Sequence, residues 1–184
     1  MGYRSPEPLA AEHEVSAFDC GEPALDEWLK RHARASHASS GAHVFVTTHT
    51  EKAAAVIGYY ALAAAQVEPR GAPERLLKGQ PGERPVPVVL LARLAVDGEH
   101  QRRQVGASLL RDAMLRVLQA ADPIGIRALV VHAKHDRARA WYQRYGFEAS
   151  PTDPLHLVLL IKDIERLVRR LSARASTPGD RRRS

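Results

Sequence analysis

The chain predicts an α+β domain with a mixed, mostly antiparallel central sheet flanked by helices. Three observations predict it. Two short runs rich in β-branched and aromatic residues, His43–Thr48 and Ala54–Ala63, are separated by a polar turn and read as an antiparallel hairpin. Apolar runs at Val88–Val96 and Arg127–Ala133 alternate with stretches of helical periodicity, which imply crossovers and parallel pairing. No internal repeat or composition shift marks a second domain, so residues 1–174 read as one domain and 175–184 as a disordered basic tail.

Bulk composition narrows the function classes. At 184 residues the chain can bury a real core, and 45% hydrophobic residues is ordinary for a globular protein. No apolar run approaches the roughly 18 residues that span a membrane, and the N-terminus lacks the pattern of a secretion signal, so a cytoplasmic protein is expected. The single cysteine, Cys20, rules out an intramolecular disulfide and reads as a small buried thiol. His132 and His135 lie three apart, but no Cys or carboxylate cluster accompanies them, so no metal site is expected. A net charge of +6 and a pI near 9.8 favour a polyanionic partner.

The elements follow in order. Glu22–Ser39 reads as one amphipathic helix, with Leu25, Trp28, Leu29 and Ala33 on one face and Pro23 in the first turn. The hairpin comes next. Gln66–Pro87 is dense in Gly, Pro and charge and reads as a long loop with a helical turn at Glu74–Lys78; loops of this length are usually functional or mobile. Val88–Val96 is apolar except for Arg93 and reads as a central buried strand. The polar turn Asp97–Gln104 leads into a helix from Val105 to Ala120 that buries Leu110, Ala113, Met114 and Val117, with Asp122-Pro123 closing it. After the strand Arg127–Ala133, Asp136 caps a short helix ending at Tyr145, with Gly146 beyond it. A last strand, Leu155–Ile161, precedes a helix marked by Ile164, Leu167, Val168 and Leu171, with Arg166, Arg169, Arg170 and Arg174 on its other sides.

The unit that carries chemistry is VVLLARLAVDGEHQRRQVGASLL, Val88–Leu110: a buried strand, a polar turn and a helix. A helix N-terminus presents unpaired N–H groups and the positive end of its dipole, which together hold phosphate. Arg102 and Arg103 add charge beside it. From these residues alone an ordinary strand–turn–helix with solvated arginines is an equal reading. Tyr142, by periodicity alone, is a core aromatic of its helix.

Several blocks in order resemble a known family. LARLAVDGEHQRRQVGASLLRDA resembles the acetyl-CoA-binding motif of the GNAT superfamily, Q-x-x-G-x-G/A after a strand. FDCGEPALDEWLKRHA, VIGYYALAAAQV, IGIRALVVHA and ARAWYQRYGFEASP are similar to the tRNA-acetylating toxins of that superfamily, over roughly Phe18 to Ile161. The resemblance implies acetyl-CoA as co-substrate, acetylation of the α-amine of aminoacyl-tRNA, a block of translation, a homodimer and a ribbon-helix-helix antitoxin. It assigns the cofactor to the backbones of Leu94 and Val96 and to Gln101, Arg102, Arg103, Gln104, Val105, Gly106 and Ala107. Val96 N–H becomes the oxyanion donor and Tyr142, in the block Trp141–Phe147, the acid that protonates the thiolate. The sequence departs from the motif at Gln104 and Arg102, where relatives carry glycine.

The phenol chemistry stands independently. A phenol of pKa about 10 can protonate a thiolate whose acid has pKa about 8.5 when held within hydrogen-bond reach. No strong general base is evident. An α-amine, with pKa about 7.7–8.0, is already partly neutral, which favours it over lysine. Arg93, the one charge inside a buried strand, is expected in an internal ion pair, with the substrate or a second subunit as the alternative partners. Arg70, Arg75, Arg84 and Arg31–Arg34 are candidates for tRNA phosphates, and the acceptor pocket is expected between the first helix and the long loop. The alternatives are an acetyltransferase acting on a protein N-terminus, lysine or small amine, and a degenerate GNAT-like binding domain.

Overall fold

The structure is a computed structural model that describes residues 2–80 and 82–175. The side chains of residues 171–175, and residues 176–184 of the expected tail 175–184, lie outside the described residues. Thirteen regular elements follow in order: β1 (Glu7–Pro8), α1 (Pro23–Arg31), α2 (Ala33–Ala38), β2 (His43–His49), β3 (Lys52–Val67), α3 (Glu74–Leu77), β4 (Val86–Val96), α4 (Val105–Ile124), β5 (Ala128–His132), α5 (Asp136–Gln143), β6 (Glu148–Ala149), β7 (His156–Leu160) and α6 (Ile161–Ala175). The strands form one sheet in the order β1-β2-β3-β4-β5-β7-β6. Every neighbouring pair is antiparallel except β4–β5. The mixed, mostly antiparallel sheet is as expected. Two-residue strands β1 and β6 carry no periodic signal and were not anticipated.

Alternation along β3 divides the core between the two faces of the sheet. Tyr60 and Leu62 face α4, in a core that also holds Leu109, Leu110, Met114, Tyr142, Phe147 and Ile164. Tyr59, Ala61 and Ala63 face the other way, beneath Leu29 and Ala33 of α1 and α2. Ala65 and Val67 continue on that same face against Leu76 of α3, Val88 and Val130. α4, α5 and α6 therefore cover one face, and α1, α2 and α3 the other. The helix expected over Glu22–Ser39 is bent at His32 (φ −119°), and Leu29 and Ala33 on either side of the bend are both fully buried.

The segment expected as a long mobile loop is shorter and tethered. β3 extends to Val67 and β4 begins at Val86, because their ladder runs on to the pair Val67↔Val86. Arg127 donates to the carbonyls of Leu76 and Lys78 at 3.1 and 2.9 Å, closing the end of α3. Arg75, a candidate for phosphate, instead bridges Glu148 and Asp163. Two further boundaries move. α4 runs through Pro123 to Ile124, because a proline in the last turn removes one bond only and Gly125 (φ 72°) ends the helix. His135, not Asp136, caps α5: its Nδ1 accepts from Ala138 N at 3.1 Å.

Gly58 sets how closely α4 approaches the sheet. A Cβ there would lie 3.0 Å from Leu109 Cδ1, 3.2 Å from Thr47 Cγ2 and 3.3 Å from Val105 Cγ1. Val105 is stiff at χ1 and Leu109 fully buried, so neither has room to yield. Gly58→Ala is expected to cost about 1–2 kcal/mol. Thermal unfolding should shift down by roughly 2–4 °C per kcal/mol, and an unchanged midpoint would show that the close approach is not limiting.

Candidate active site

β4 and β5 pair only through Val89↔Leu129, Leu90↔Val130 and Leu91↔Val131. Beyond Leu91 they part. The cause is visible on the other side of β4: Ala61 pairs with Arg93 and Leu62 with Leu91, leaving Ala92 as an extra, unpaired residue. This is a β-bulge, and it bends β4 at the point where β5 is left behind. Asp97 N donates to Ile57 O at 2.9 Å. Since backbone groups of an antiparallel strand alternate in direction, Asp97, Ala95 and Arg93 bond to β3, and the N–H groups of Leu94 and Val96 face the gap. No strand lies opposite them there among the described residues.

The gap opens into a cleft of about 940 Å³. Its walls bring together Leu94, Val96, Gln101, Arg102, Gln104, Gly106, Ala107 and Tyr142 of the expected site. Arg103 and Val105 are not on those walls. Arg103 turns to a smaller pocket behind the turn, lined also by Tyr3, Arg4 and Ser108, and the Val105 side chain is buried against the sheet. The loop expected to border the cleft contributes no residue to it; the segment leading into α1 does, through Cys20, Gly21, Glu22 and Leu25. Arg93, Arg102, Lys134, Arg137 and Arg144 stand on the walls against the single carboxylate Glu22. The cleft thus offers a net positive field to an anion.

The turn solves the problem posed by its missing glycines. Arg102 (φ 60°) and Gln104 (φ 66°, ψ 2°) both adopt the left-handed conformation. The backbone path is therefore one a glycine takes without strain, held here by residues that carry a Cβ. Gln104 gives α4 no side-chain cap, and there is no acidic residue in its first turn. The first helical bond runs from Ser108 N to Gln104 O, so the N–H groups of Val105, Gly106 and Ala107 have no acceptor within the helix. A bare, positive helix end at the mouth of a cationic cleft can hold a phosphate group.

Gln101 does something the sequence did not suggest. Its Nε2 donates to Cys20 O at 2.9 Å and to Val96 O at 3.0 Å, tying the entry to α1 to the end of β4. Asp97 reinforces this tie by accepting from Asp19 N at 3.0 Å. Glu22 reaches Lys134 Nζ at 3.0 Å, an ion pair between the two walls. Apart from the Gln101–Val96 bond, these contacts link residues 78 to 112 positions apart, and no local pattern announces them. Arg93 makes no ion pair among the described residues. It donates to the bulge carbonyl of Ala92 at 2.7 Å and lies 5.2 Å from the centre of the Trp28 ring, a cation–π contact that replaces the expected salt bridge.

Tyr142 is 7% exposed and packs edge-on against Trp141 and Phe147, with ring centres 4.9 and 5.4 Å away. Its hydroxyl has no hydrogen-bond partner among the described residues. The only sealed side-chain polar atom without a partner among the described residues is Thr48 Oγ1, so the Tyr142 hydroxyl opens to the cleft. Burial pushes this phenol above its ordinary value and keeps it protonated at neutral pH. Burial, with Asp26 alongside, pushes the Cys20 thiol up to about 12, which leaves it a poor nucleophile. Periodicity and chemistry therefore meet in Tyr142: its ring is core and its oxygen is not.

Residues 40–149 match the family model described as an acetyltransferase (GNAT) domain, more than half of the chain. The chain is a GNAT acetyltransferase. A tRNA-acetylating toxin of Mycobacterium tuberculosis is 48% identical over 167 residues, 91% of this chain and 98% of that protein. Among solved structures, a tyrosine-to-phenylalanine mutant of KacT superposes with TM-score 0.83 at 29% identity, covering 91% of this chain and 99% of that one. AtaT complexed with acetyl-methionyl-tRNAfMet superposes at 0.82 and 28% identity, over 91% and 99%. In this GNAT domain the turn before α4 holds two non-glycine residues, Arg102 and Gln104, in the left-handed conformation. Gln104→Gly should relieve about 1 kcal/mol of backbone strain. An unfolding midpoint raised by roughly 2–4 °C is expected, and a lower midpoint would show that the Gln104 side chain, not its backbone, holds the turn.

Proposed function

We propose that this GNAT acetyltransferase transfers the acetyl group of acetyl-CoA to the α-amine of aminoacyl-tRNA, and acts as a toxin by blocking translation. The observation that carries the reading is the cleft that the Tyr142 hydroxyl, the open edge of β4 and the uncapped end of α4 share. The relatives support the choice of acceptor. The relative with 48% identity is a tRNA-acetylating toxin, and similar structures include AtaT with acetyl-methionyl-tRNAfMet and AtaTR bound with AcCoA. A mutant of AtaT bound to the C-terminus of the antitoxin AtaR supports an antitoxin as partner. We extend the reading to a ribbon-helix-helix antitoxin, a homodimer and a cytoplasmic site of action, where charged tRNA is found. No helix among the described residues is long and apolar enough to cross a membrane.

The chemistry follows from the residues. The N–H groups of Val105, Gly106 and Ala107, with Arg102, receive the pyrophosphate of acetyl-CoA, and Gln104 supplies the left-handed backbone that exposes them. The peptide groups of Leu94 and Val96 bond the pantetheine arm as a missing strand would. The amine nitrogen adds to the thioester carbonyl, a C–N bond forms, and the oxygen takes the negative charge. Val96 N–H faces that oxygen, a contribution of about 3–4 kcal/mol where such donors have been removed. Gln101 occupies the Val96 carbonyl and so holds the peptide in place. As the C–S bond breaks, Tyr142 gives its proton to sulfur. The same burial that raises the phenol raises the thiol, so the two remain matched in the site.

Incubation with acetyl-CoA and a panel of charged tRNAs is expected to yield N-acetyl-aminoacyl-tRNA by mass spectrometry; no product from any tRNA would sink the reading. Tyr142→Phe should lower kcat by about 10²–10⁴ while acetyl-CoA affinity stays within about twofold, and wild-type turnover would remove Tyr142 as the acid. Gly106→Ala adds a Cβ 3.6 Å from Trp141 Cζ2 and 3.7 Å from Val96 Cγ2, contacts that the fold accommodates. Its unfolding midpoint should hold or rise. Its Kd for acetyl-CoA should weaken roughly tenfold, about 1.4 kcal/mol, and unchanged affinity would remove the helix end from the cofactor site.

A further inference from the structure

Acetyl transfer needs a proton removed from nitrogen as well as one delivered to sulfur, and Tyr142 can do only the second. We infer that His132 takes the proton from the acceptor amine, on the face of the sheet opposite Tyr142. The inference rests on the acetyl-transfer reading and adds the missing base to it.

Position comes first. Leu91↔Val131 is the last pair joining β4 to β5, so His132 is the next residue along, at the opening of the gap. Alternation sets its face. Leu129 and Val131 pack toward α4, in the core that holds Tyr142, whereas Ala128 and Val130 pack on the other face. His132 follows Ala128 and Val130. His156, its partner across β5–β7, stacks on it with ring centres 4.0 Å apart. Acid and base thus stand on opposite sides of the gap that receives the acetyl group. With the two groups apart, the amine nitrogen and the departing sulfur each meet their own proton-transfer partner, and one proton relay does not have to serve both.

The other candidates on the cleft walls are committed elsewhere. His135 Nδ1 accepts the N–H of Ala138 as the cap of α5. Glu22, the one carboxylate, is paired with Lys134. Among the described residues His132 makes no hydrogen bond that would occupy its lone pair.

Its surroundings keep that lone pair free. Partial desolvation of this otherwise exposed ring comes first, then the neighbouring His156, and together they lower His132 below the ordinary imidazole value and favour its neutral form. His156 Nε2 lies 3.4 Å from Asp153 Oδ2, and that carboxylate offsets part of the lowering at His132. Arg93 and Lys134 line the same cleft, and Lys134 is paired with Glu22. As the C–N bond forms, the N–H bond breaks to His132, and Tyr142 separately supplies the proton of the new thiol. Solvent then returns imidazolium and phenolate to their resting states.

The test uses His132→Gln and His132→Ala in the purified full chain, with acetyl-CoA and the charged tRNA found to be a substrate. His132→Gln is expected to lower kcat about 100-fold, to leave acetyl-CoA affinity within about twofold, and to remove the loss of kcat that the wild type shows as pH falls below the imidazole range. Added imidazole should restore part of the rate to His132→Ala. Wild-type kcat and pH profile in His132→Gln would overturn the inference. So would a loss that is equal at every pH and unmoved by imidazole, since that marks a positioning role. Acetylated tRNA from the wild type in either case leaves the acetyl-transfer reading intact.

Discussion

Beyond Leu91 the peptide groups of β4 have no strand to bond on one side, and the rest of the molecule is arranged around that open edge. A sheet interior with unbonded N–H groups is costly, at about 1–3 kcal/mol for each buried donor without a partner. The edge persists because the bulge at Ala92 bends β4 away, while Gln101 and Asp97 hold its far end against the entry to α1. Helix α4 then starts immediately beyond, pressed onto the sheet through Gly58. Packing, turn and open edge are therefore one construction, which leaves peptide N–H groups of β4 and α4 facing the same cleft.

Electrostatics add direction to this construction. The five cationic side chains of the cleft face one carboxylate, and that carboxylate is already paired. An anionic cofactor and an anionic acceptor are both drawn in, with attraction that falls as salt rises. Most of the arginines singled out in the sequence for phosphate take no part in the cleft. Arg75 is held in ion pairs, Arg31 is paired with Glu27, and Arg34 donates to the His13 carbonyl. The useful charge came instead from α5 and its lead, in Lys134, Arg137 and Arg144, whose spacing looks like any solvated helix face.

Local patterns were legible in the sequence, and long-range ones were not. The hairpin, the strand–turn–helix at Val88–Leu110 and the aromatic block at Trp141–Phe147 each depend on neighbours within a few turns of chain, so periodicity and motif reached them. The bulge at Ala92 carries no glycine or proline to mark it. The left-handed turn was hidden for the opposite reason: its positions hold Arg102 and Gln104, and the residues that usually advertise such a backbone are missing. Gln101 was singled out as a cofactor contact, yet its side chain is spent on two carbonyls. His132 was seen only as half of a weak metal spacing. Its meaning depends on His156, 24 positions away, and on which face of β5 it occupies.

The open edge has a last consequence for how this protein can vary. Several of the groups it presents to a ligand are peptide N–H groups, which every residue but one possesses. Side chains at positions 94, 96 and 107 can drift while the hydrogen-bond donors remain, whereas Val105 is held by its packing beside Gly58. Mutational tolerance at these sites is therefore wide, with one sharp exception. Proline lacks the N–H, so a single proline at position 96 deletes the donor itself. Proline at position 94 would delete the other N–H that faces the gap, and either change leaves the remaining side chains of the cleft in place.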